Sequence, residues 1–522
     1  MPRVSLTTNF AHKGAHVRED TAVFRVPLLM SNRQSRFSTL GTSSSVYDAF
    51  HELESSCIKR LNPSRSGASR RSLAVVATRL VKRTPQLLAL IVAACAPAGD
   101  GDPGQVLQSG PMLGYATAEE ALLWVQTTRP ADVHFVYYDT ARPDRRYRTA
   151  PVRTHRERAF TAKILADSLS PDRAYVYELY IDDRRVERHY PLLFQTPTPE
   201  DSAADPEAFR VAVGSCNYVV DPDVDASDKS YGGYQIFGHI FDLRPELMIW
   251  LGDNVYLRRG EWNSREGILR RHGHTRALPE LQPLLATTHH YAIWDDHDFG
   301  PGDSDGSWRN KDLSLEAFQL FWGNPCTDEN GQPGIACTFT WSDVAFFLLD
   351  NRYYRKPADS AKDASILGAQ QLSWLLDTLE RSNATFKVVV SGGQVLNPYA
   401  APENYSNYPE ERAALLDAIS ARGISGVLFL SGDRHRSELS RLDRERDYPL
   451  YDATISPLTA ELYDLGDEPN PLRVDGTWLV DHNFGLLEFD GPREDRRLTI
   501  TAIDGRGERR WTHTIRAADL RR

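Results

Sequence analysis

From Gly110 to about Thr198, apolar and polar positions alternate in short runs: "EALLWVQT", "DVHFVYYD", "RAFTAKIL" and "RAYVYELYIDD". Turns such as "RPDRR" and "SPDRA" separate them. A two-residue period with turn punctuation predicts strands. Strands at this spacing, without a helical pattern, predict a small all-β sandwich of immunoglobulin or fibronectin type over residues 109–199. After the acidic linker "TPTPEDSAADPEA" the pattern changes. Apolar strand-like runs now alternate with amphipathic helical stretches such as "SREGILRRHGHTRALPELQPLL" and "LGAQQLSWLLDTLERS". That alternation predicts a mixed α/β domain over residues 208–516.

Six of the later strands end in polar clusters. "FRVAV" runs into Gly214-Ser215-Cys216, and "ELMIWL" into Gly252-Asp253-Asn254-Val255-Tyr256. "YAIW" meets Asp295-Asp296-His297-Asp298, and "DVAFFLL" meets Asp350-Asn351-Arg352. "FKVVV" ends in Ser391-Gly392-Gly393-Gln394, and "GVLFL" in Ser431-Gly432-Asp433-Arg434-His435. One acidic strand end is a solvated turn in most proteins. Six on a shared sheet edge, where α/β folds bind ligands, point to carboxylates converging on metal. Glycine before Asp253 and Asp433 lets the backbone crowd a common centre.

Donor chemistry narrows the metals. Cys216 thiolate and Tyr256 phenolate are anionic donors suited to a redox-active ion, Fe(III) in particular, and His435 adds an imidazole. Asp296 and Asp433 are hard oxygen donors that suit Ca²⁺, with Mn²⁺ or Mg²⁺ as alternatives. Asp253 is placed to bridge the two. Paired metals serve in-line displacement at phosphorus, with a metal-bound hydroxide as the attacking group.

Charge and composition change the picture in two ways. Residues 1–94 carry 14 Lys/Arg against 5 Asp/Glu, whereas the remainder has a net charge of −19. Such an acidic body lacks the cationic surface that nonspecific nucleic-acid binding needs, and no protein partner is indicated. Near the end of the basic head, "VKRTPQLLALIVAAC" has the charged and short apolar regions of a signal peptide, too short to span a membrane. "VAAC" resembles a bacterial lipobox, making Cys95 the expected lipidation site. The expected divisions are a head at 1–80 that reflects a misplaced gene start, a signal at 81–95 and a tether at 96–108. A lipoprotein of the bacterial cell envelope, periplasmic or outer-facing, follows. In that oxidising setting Cys326 and Cys337, flanking a turn-rich loop, are a candidate disulfide.

The ordered set "GSC", "LGDNVY", "AIWDDHDFG", "LLDNRYYR" and "LSGDRHR" closely resembles the alkaline phosphatase D (PhoD-like) family of calcineurin-like metallophosphoesterases. "GDNVY" is also similar to the Asp-x-x-Tyr of purple acid phosphatases. The resemblance implies a four-layer αββα sandwich and an iron–calcium centre acting on phosphate mono- or diesters. It implies Cys216, Asp253, Tyr256 and His435 on iron, with Asp253, Asp296 and Asp433 on the second metal. His297 is implied to contact phosphate or protonate the leaving oxygen. The chain departs from the wider superfamily in lacking a histidine at "SGGQ", which turns the second site toward oxygen ligands.

Arg352 is a candidate phosphate contact, the alternative being an ion pair that orients Asp350. His272 and His274 are weaker candidates for the cleft. His289, His290, Trp294 and Trp308 read as structural, and "DSDGSW" as a loop bordering the cleft. A competing reading is a non-catalytic, calcium-dependent surface binding protein, against which His297 counts. No HExxH occurs to support a peptidase.

Overall fold

Strands Phe209–Gly214, Leu247–Leu251 and His289–Ile293 pair in parallel, with Val211 opposite Leu247 and Ile249 opposite Tyr291. Strands Leu247–Leu251 and His289–Ile293 are buried along their whole length, the near-continuous apolar signature of a parallel sheet covered on both faces. The computed structural model in which they lie describes residues 103–199, 202, 205–225, 231–325, 331–359, 363–463 and 468–522. The expected leader and tether, Cys95, and the Cys326 half of the expected disulfide lie outside the described residues. Cys337 is buried at the start of strand Cys337–Trp341.

The three parallel strands form the middle of a nine-stranded sheet. Antiparallel strands Asn483–Asp490, Arg497–Asp504 and Arg509–Arg516 extend it on one side. A second, six-stranded sheet carries parallel strands Val344–Leu348, Phe386–Ser391 and Val427–Ser431 at its centre. The sheets meet face to face: Phe346 and Phe386 of one lie 6.4 and 5.5 Å from Phe489 of the other, ring to ring. Helix Gln235–Asp242 covers the outer face of the first sheet, Phe237 packing 6.2 Å from Trp250. Helix Gly368–Arg381 covers the second, where Lys387 Nζ donates to Leu379 O at 2.9 Å. Helix, sheet, sheet and helix thus stack in four layers, in agreement with the expected mixed α/β class.

The segment before the linker departs from expectation. Its strands form, but they do not build a self-contained sandwich over 109–199. Strand Leu107–Ala116 pairs in parallel with His289–Ile293 at Leu113, and strands Ala121–Thr127 and Thr161–Ala166 follow it in the nine-stranded sheet. A separate sheet holds Asp132–Asp139 and Ala174–Ile181. Trp124 Nε1 donates to Leu320 O at 2.8 Å, and Tyr177 Oη to Ala286 O at 2.7 Å. Alternation along a strand reports which face is buried but not which edge it joins, so this fusion was not readable from the pattern. Among the described residues, no helix is long and apolar enough to cross a membrane.

Candidate metal centre

Each candidate ligand stands just beyond a parallel strand, and the backbone there is unusual. Cys216, Asp253, Asp433 and His435 have φ of 56°, 53°, 67° and 51°, in the left-handed region that residues other than glycine seldom adopt. Such conformations cost energy and persist where the surroundings fix them. Cys216 N–H donates to Gly252 O at 3.2 Å and Asn217 N–H to Asp253 O at 2.8 Å, holding the first two loops together. Gly252 itself has φ of 97°, and a Cβ there would lie 2.7 Å from Asp295 Cβ.

The third loop explains the acidic run that interrupts "YAIWDDHDFG". Asp295 caps the short helix Asp296–Phe299 in a reciprocal capping box with Asp298. Asp298 also accepts from Asn254 N–H and Val255 N–H, both at 3.1 Å. Asp295 and Asp298 are therefore spent on building the loop and clamping it to its neighbour. Asp296 and His297, between them, are left for the centre. His297 N–H donates to Asp253 Oδ1 at 3.2 Å.

Two donor sets result. One joins Cys216, Asp253 and His435, the other Asp253, Asp296 and His297, each with ligand atoms all within 4.8 Å of one another. Asp253 belongs to both. Tyr256 Oη lies 3.3 Å from His435 Nε2, so the phenol reaches the first set. Asp433 presents its backbone oxygen 3.7 Å from Cys216 Sγ. Its Oδ2 is buried without a hydrogen bond, although the Arg434 guanidinium stands 3.5 Å away. The structure thus brings Cys216, Asp253, Tyr256, Asp296 and His435 together, while the Asp433 carboxylate lies in neither donor set and only its backbone oxygen is placed beside Cys216. It adds His297 to the second donor set, a place the resemblance gave to a phosphate contact.

Electrostatics say what this arrangement needs. Burial, reinforced by Asp296 and Cys216, pushes the Asp253 carboxyl well above the ordinary range. Burial and Asp433 push the Cys216 thiol up to about 12. Burial, with Cys216 and Asp253, likewise raises the Tyr256 phenol far above its usual value. Burial and the Arg434 charge oppose each other at Asp433, and burial wins, raising it. Anionic donors this close and this dry cannot all ionise unaided. A cation among them removes the conflict, and thiolate, phenolate, imidazole and carboxylate are the donor classes that hold transition and hard metal ions. The residues fit a metal pair.

Supporting residues come from far along the chain. Ser456 Oγ–H donates to Cys216 Sγ at 3.1 Å and accepts from His435 N–H at 3.0 Å. Glu461 O accepts from His435 Nδ1, which fixes the tautomer that turns Nε2 toward the centre. No spacing rule links Ser456 to Cys216, and the sequence gives no sign of either contact. Glu403 was missed for the same reason. The place of the absent fifth-strand histidine is taken by side chains from elsewhere: a Cβ on Gly392 would lie 2.5 Å from Asp295 Oδ2 and 2.2 Å from Asn351 Nδ2.

Arg352 is a correction. Its guanidinium is fully buried and committed: Nε donates to Asp295 Oδ1 at 2.5 Å, Nη1 to Ser304 O at 3.0 Å, and Nη2 to Glu403. It is turned toward carboxylates rather than presented to phosphate, and only its backbone N–H reaches Asp350. His272 is buried against Phe321, and His274 bonds Val220 O, so neither is a ligand. His289, His290 and Trp294 are buried in backbone and side-chain hydrogen bonds, as expected.

Comparisons with known proteins bear on the family and the fold. Residues 211–463 match the family model of PhoD-like phosphatases, and residues 104–198 match a domain of unknown function (DUF7800). Alkaline phosphatase D of Bacillus subtilis (strain 168) is 22% identical over 397 residues, a match spanning 66% of this chain and 65% of that protein's length. A solved structure of PhoD superposes with a TM-score of 0.64 at 17% identity, covering 78% of this chain and 87% of that one. The purple acid phosphatase PPD1 from yellow lupin (Lupinus luteus) seeds superposes with a TM-score of 0.57 at 12% identity, covering 78% and 75%. These two likenesses establish a metallophosphoesterase-like fold. With the ordered strand-end residues and the family match in agreement, residues 211–463 form a PhoD-like phosphatase domain, of a family whose members are metal-dependent.

Proposed function

We propose that the chain is a two-metal phosphoesterase that hydrolyses phosphate mono- or diesters. The observation that carries this reading is Asp253, one buried carboxylate shared by two donor sets of different chemistry. Cys216, Tyr256 and His435 would hold Fe(III) with it; Asp296 and Asp433 would hold Ca²⁺, or Mn²⁺ or Mg²⁺, with it. When bound, the metals supply Lewis acidity and a nucleophile at neutral pH.

The protein's own residues do the rest. Asp253 turns Oδ2 toward Cys216 and Oδ1 toward the N–H of His297, so its one carboxylate would serve both sites. Asp296, which burial would raise, is held low by His297, Arg352 and the N–H of Asp303, and so stays an anionic donor. Arg352 and Glu403 act as positioning residues, keeping Asp295 and Asp296 in place. His297 stacks on Tyr256 at 4.3 Å and is only partly buried. Although its ring reaches the second donor set, its task is to pass a proton to the leaving ester oxygen, with Asp296 and Asp433 left to the metal. An envelope location through lipidated Cys95 is part of the same proposal and rests on "VAAC".

The test is turnover of p-nitrophenyl phosphate and its bis-ester by metal-loaded protein beside Asp253→Ala. The expected result is activity that falls by about 10³-fold or more in the variant, a loss on the scale of removing a transition-state charge stabiliser. The ratio of the two wild-type rates then gives the ester class. Tight cation binding with no turnover would instead favour the binding-protein reading.

A further inference from the structure

The segment from Ser456 to Tyr463 is pinned to the centre along its length. Ser456 bonds Cys216 and His435, Thr459 N–H and Ala460 N–H both donate to Cys216 O, and Glu461 O takes His435 Nδ1. Tyr463 stands at the end of this pinned stretch. Its ring stacks on the His435 imidazole, centroids 4.4 Å apart and planes within 18°, yet it is 48% exposed. This half-exposed ring sits one imidazole away from the metal that His435 would bind.

The arginines of the loops around the centre set a second condition. Arg352 and Arg355 are committed to Glu403, and Arg258 to Asp225 at 2.7 Å. Arg434 donates to Glu468 at 2.8 Å and to Pro402 O at 3.1 Å. These guanidinium groups are already neutralised, so none of them is offered to a second phosphate. Beside them the half-exposed Tyr463 ring presents a flat π surface.

We propose that Tyr463 is a stacking platform for the leaving group, and that the favoured substrates are phosphoesters carrying a planar ring one short linker from phosphorus. A nucleoside 5′-phosphate is the representative case, its base standing one ribose away from phosphorus. The inference rests on the phosphoesterase reading above and names its substrate class. Esters without a ring, and esters with further phosphates, are disfavoured by the same geometry.

The experiment compares adenosine 5′-monophosphate with glycerol 3-phosphate for wild type, Tyr463→Phe and Tyr463→Leu, with metal content measured on each preparation. Base–aromatic stacking of ordinary strength corresponds to roughly tenfold in binding. The ratio of kcat/KM for the two esters is therefore expected to fall by about that factor in Tyr463→Leu, through KM, and to persist in Tyr463→Phe. Metal content is expected to match wild type in both variants. An unchanged ratio in Tyr463→Leu overturns the proposal. So does an equal fall for both esters accompanied by metal loss, which would make Tyr463 a shield for His435. If metal-loaded wild type turned over neither ester, the phosphoesterase reading would fail instead. Calorimetric binding of adenosine 5′-monophosphate to wild type and Tyr463→Leu would then still decide whether the platform exists.

Discussion

Six acidic side chains, Asp253, Asp295, Asp296, Asp298, Asp433 and Glu403, share one buried neighbourhood, and their tasks divide. Asp295 and Asp298 shape a loop, Glu403 holds Arg352 and Arg355, Asp253 and Asp296 sit in the donor sets, and the Asp433 carboxylate lies beside Arg434. The candidate donors were legible because a strand followed by Gly-Asp or Asp-Asp-His is local information. The sequence did not show that Asp295 and Asp298 are structural, although a capping box with Asp at both ends was there to read. Arg352 was misassigned because proximity to a strand end does not reveal which way a long side chain turns. At this scale the metal-free protein has a defined pH response. Burial raises Asp298 to about 7; at Asp295 burial also dominates over Arg352 and raises the carboxyl to about 8. Both lie above the unfolded value of about 3.9. Stability from these groups is thus present below about pH 4 and lost as pH rises toward 8. Chelated protein is expected to show a Tm that falls across pH 5–8. Metal-loaded protein is expected to lack that fall, because bound cations favour the ionised ligands. Thermal denaturation in matched buffers checks both.

The loops that follow the parallel strands have no regular structure, yet close contacts and left-handed backbone fix them. Gly252 shows why. Its φ of 97° excludes ordinary side chains, and the Asp295 Cβ occupies the space that a Cβ would take. Gly252→Ala is expected to cost at least about 1 kcal/mol from the backbone alone. It should also push the Asp253 and Asp295 loops apart, weakening metal retention more than it lowers Tm. Dialysis against a weak chelator, followed by metal analysis, measures that. Wild-type retention would contradict the claim that these loops are mutually fixed. The glycine was visible in the sequence as "LGDNVY". Its partner across the gap was not, because the contact joins loops more than 40 residues apart.

Across the whole molecule, the order of strands and helices from Phe209 onward was legible because parallel strands in a covered sheet are nearly all apolar. Where the first strands attach was not. Strand Leu107–Ala116 continues the large sheet at Leu113, and Trp124 and Tyr177 hydrogen-bond into the segment 286–320. A chain beginning at residue 208 would expose the edge of His289–Ile293 and the apolar surface beneath Trp124. Such a chain is expected to aggregate or to lack a cooperative unfolding transition. A soluble, cooperatively melting product, seen by circular dichroism, would show that the two segments are separable after all.

The central claim is that Asp253 joins two metal sites into one centre. Metal stoichiometry of the purified protein tests it most directly, with wild type, Asp253→Ala and Asp296→Ala measured side by side after reconstitution. Two metals per chain are expected in wild type, both depleted in Asp253→Ala and only the second depleted in Asp296→Ala. One metal in wild type, or loss of a single metal in Asp253→Ala, would contradict the shared centre.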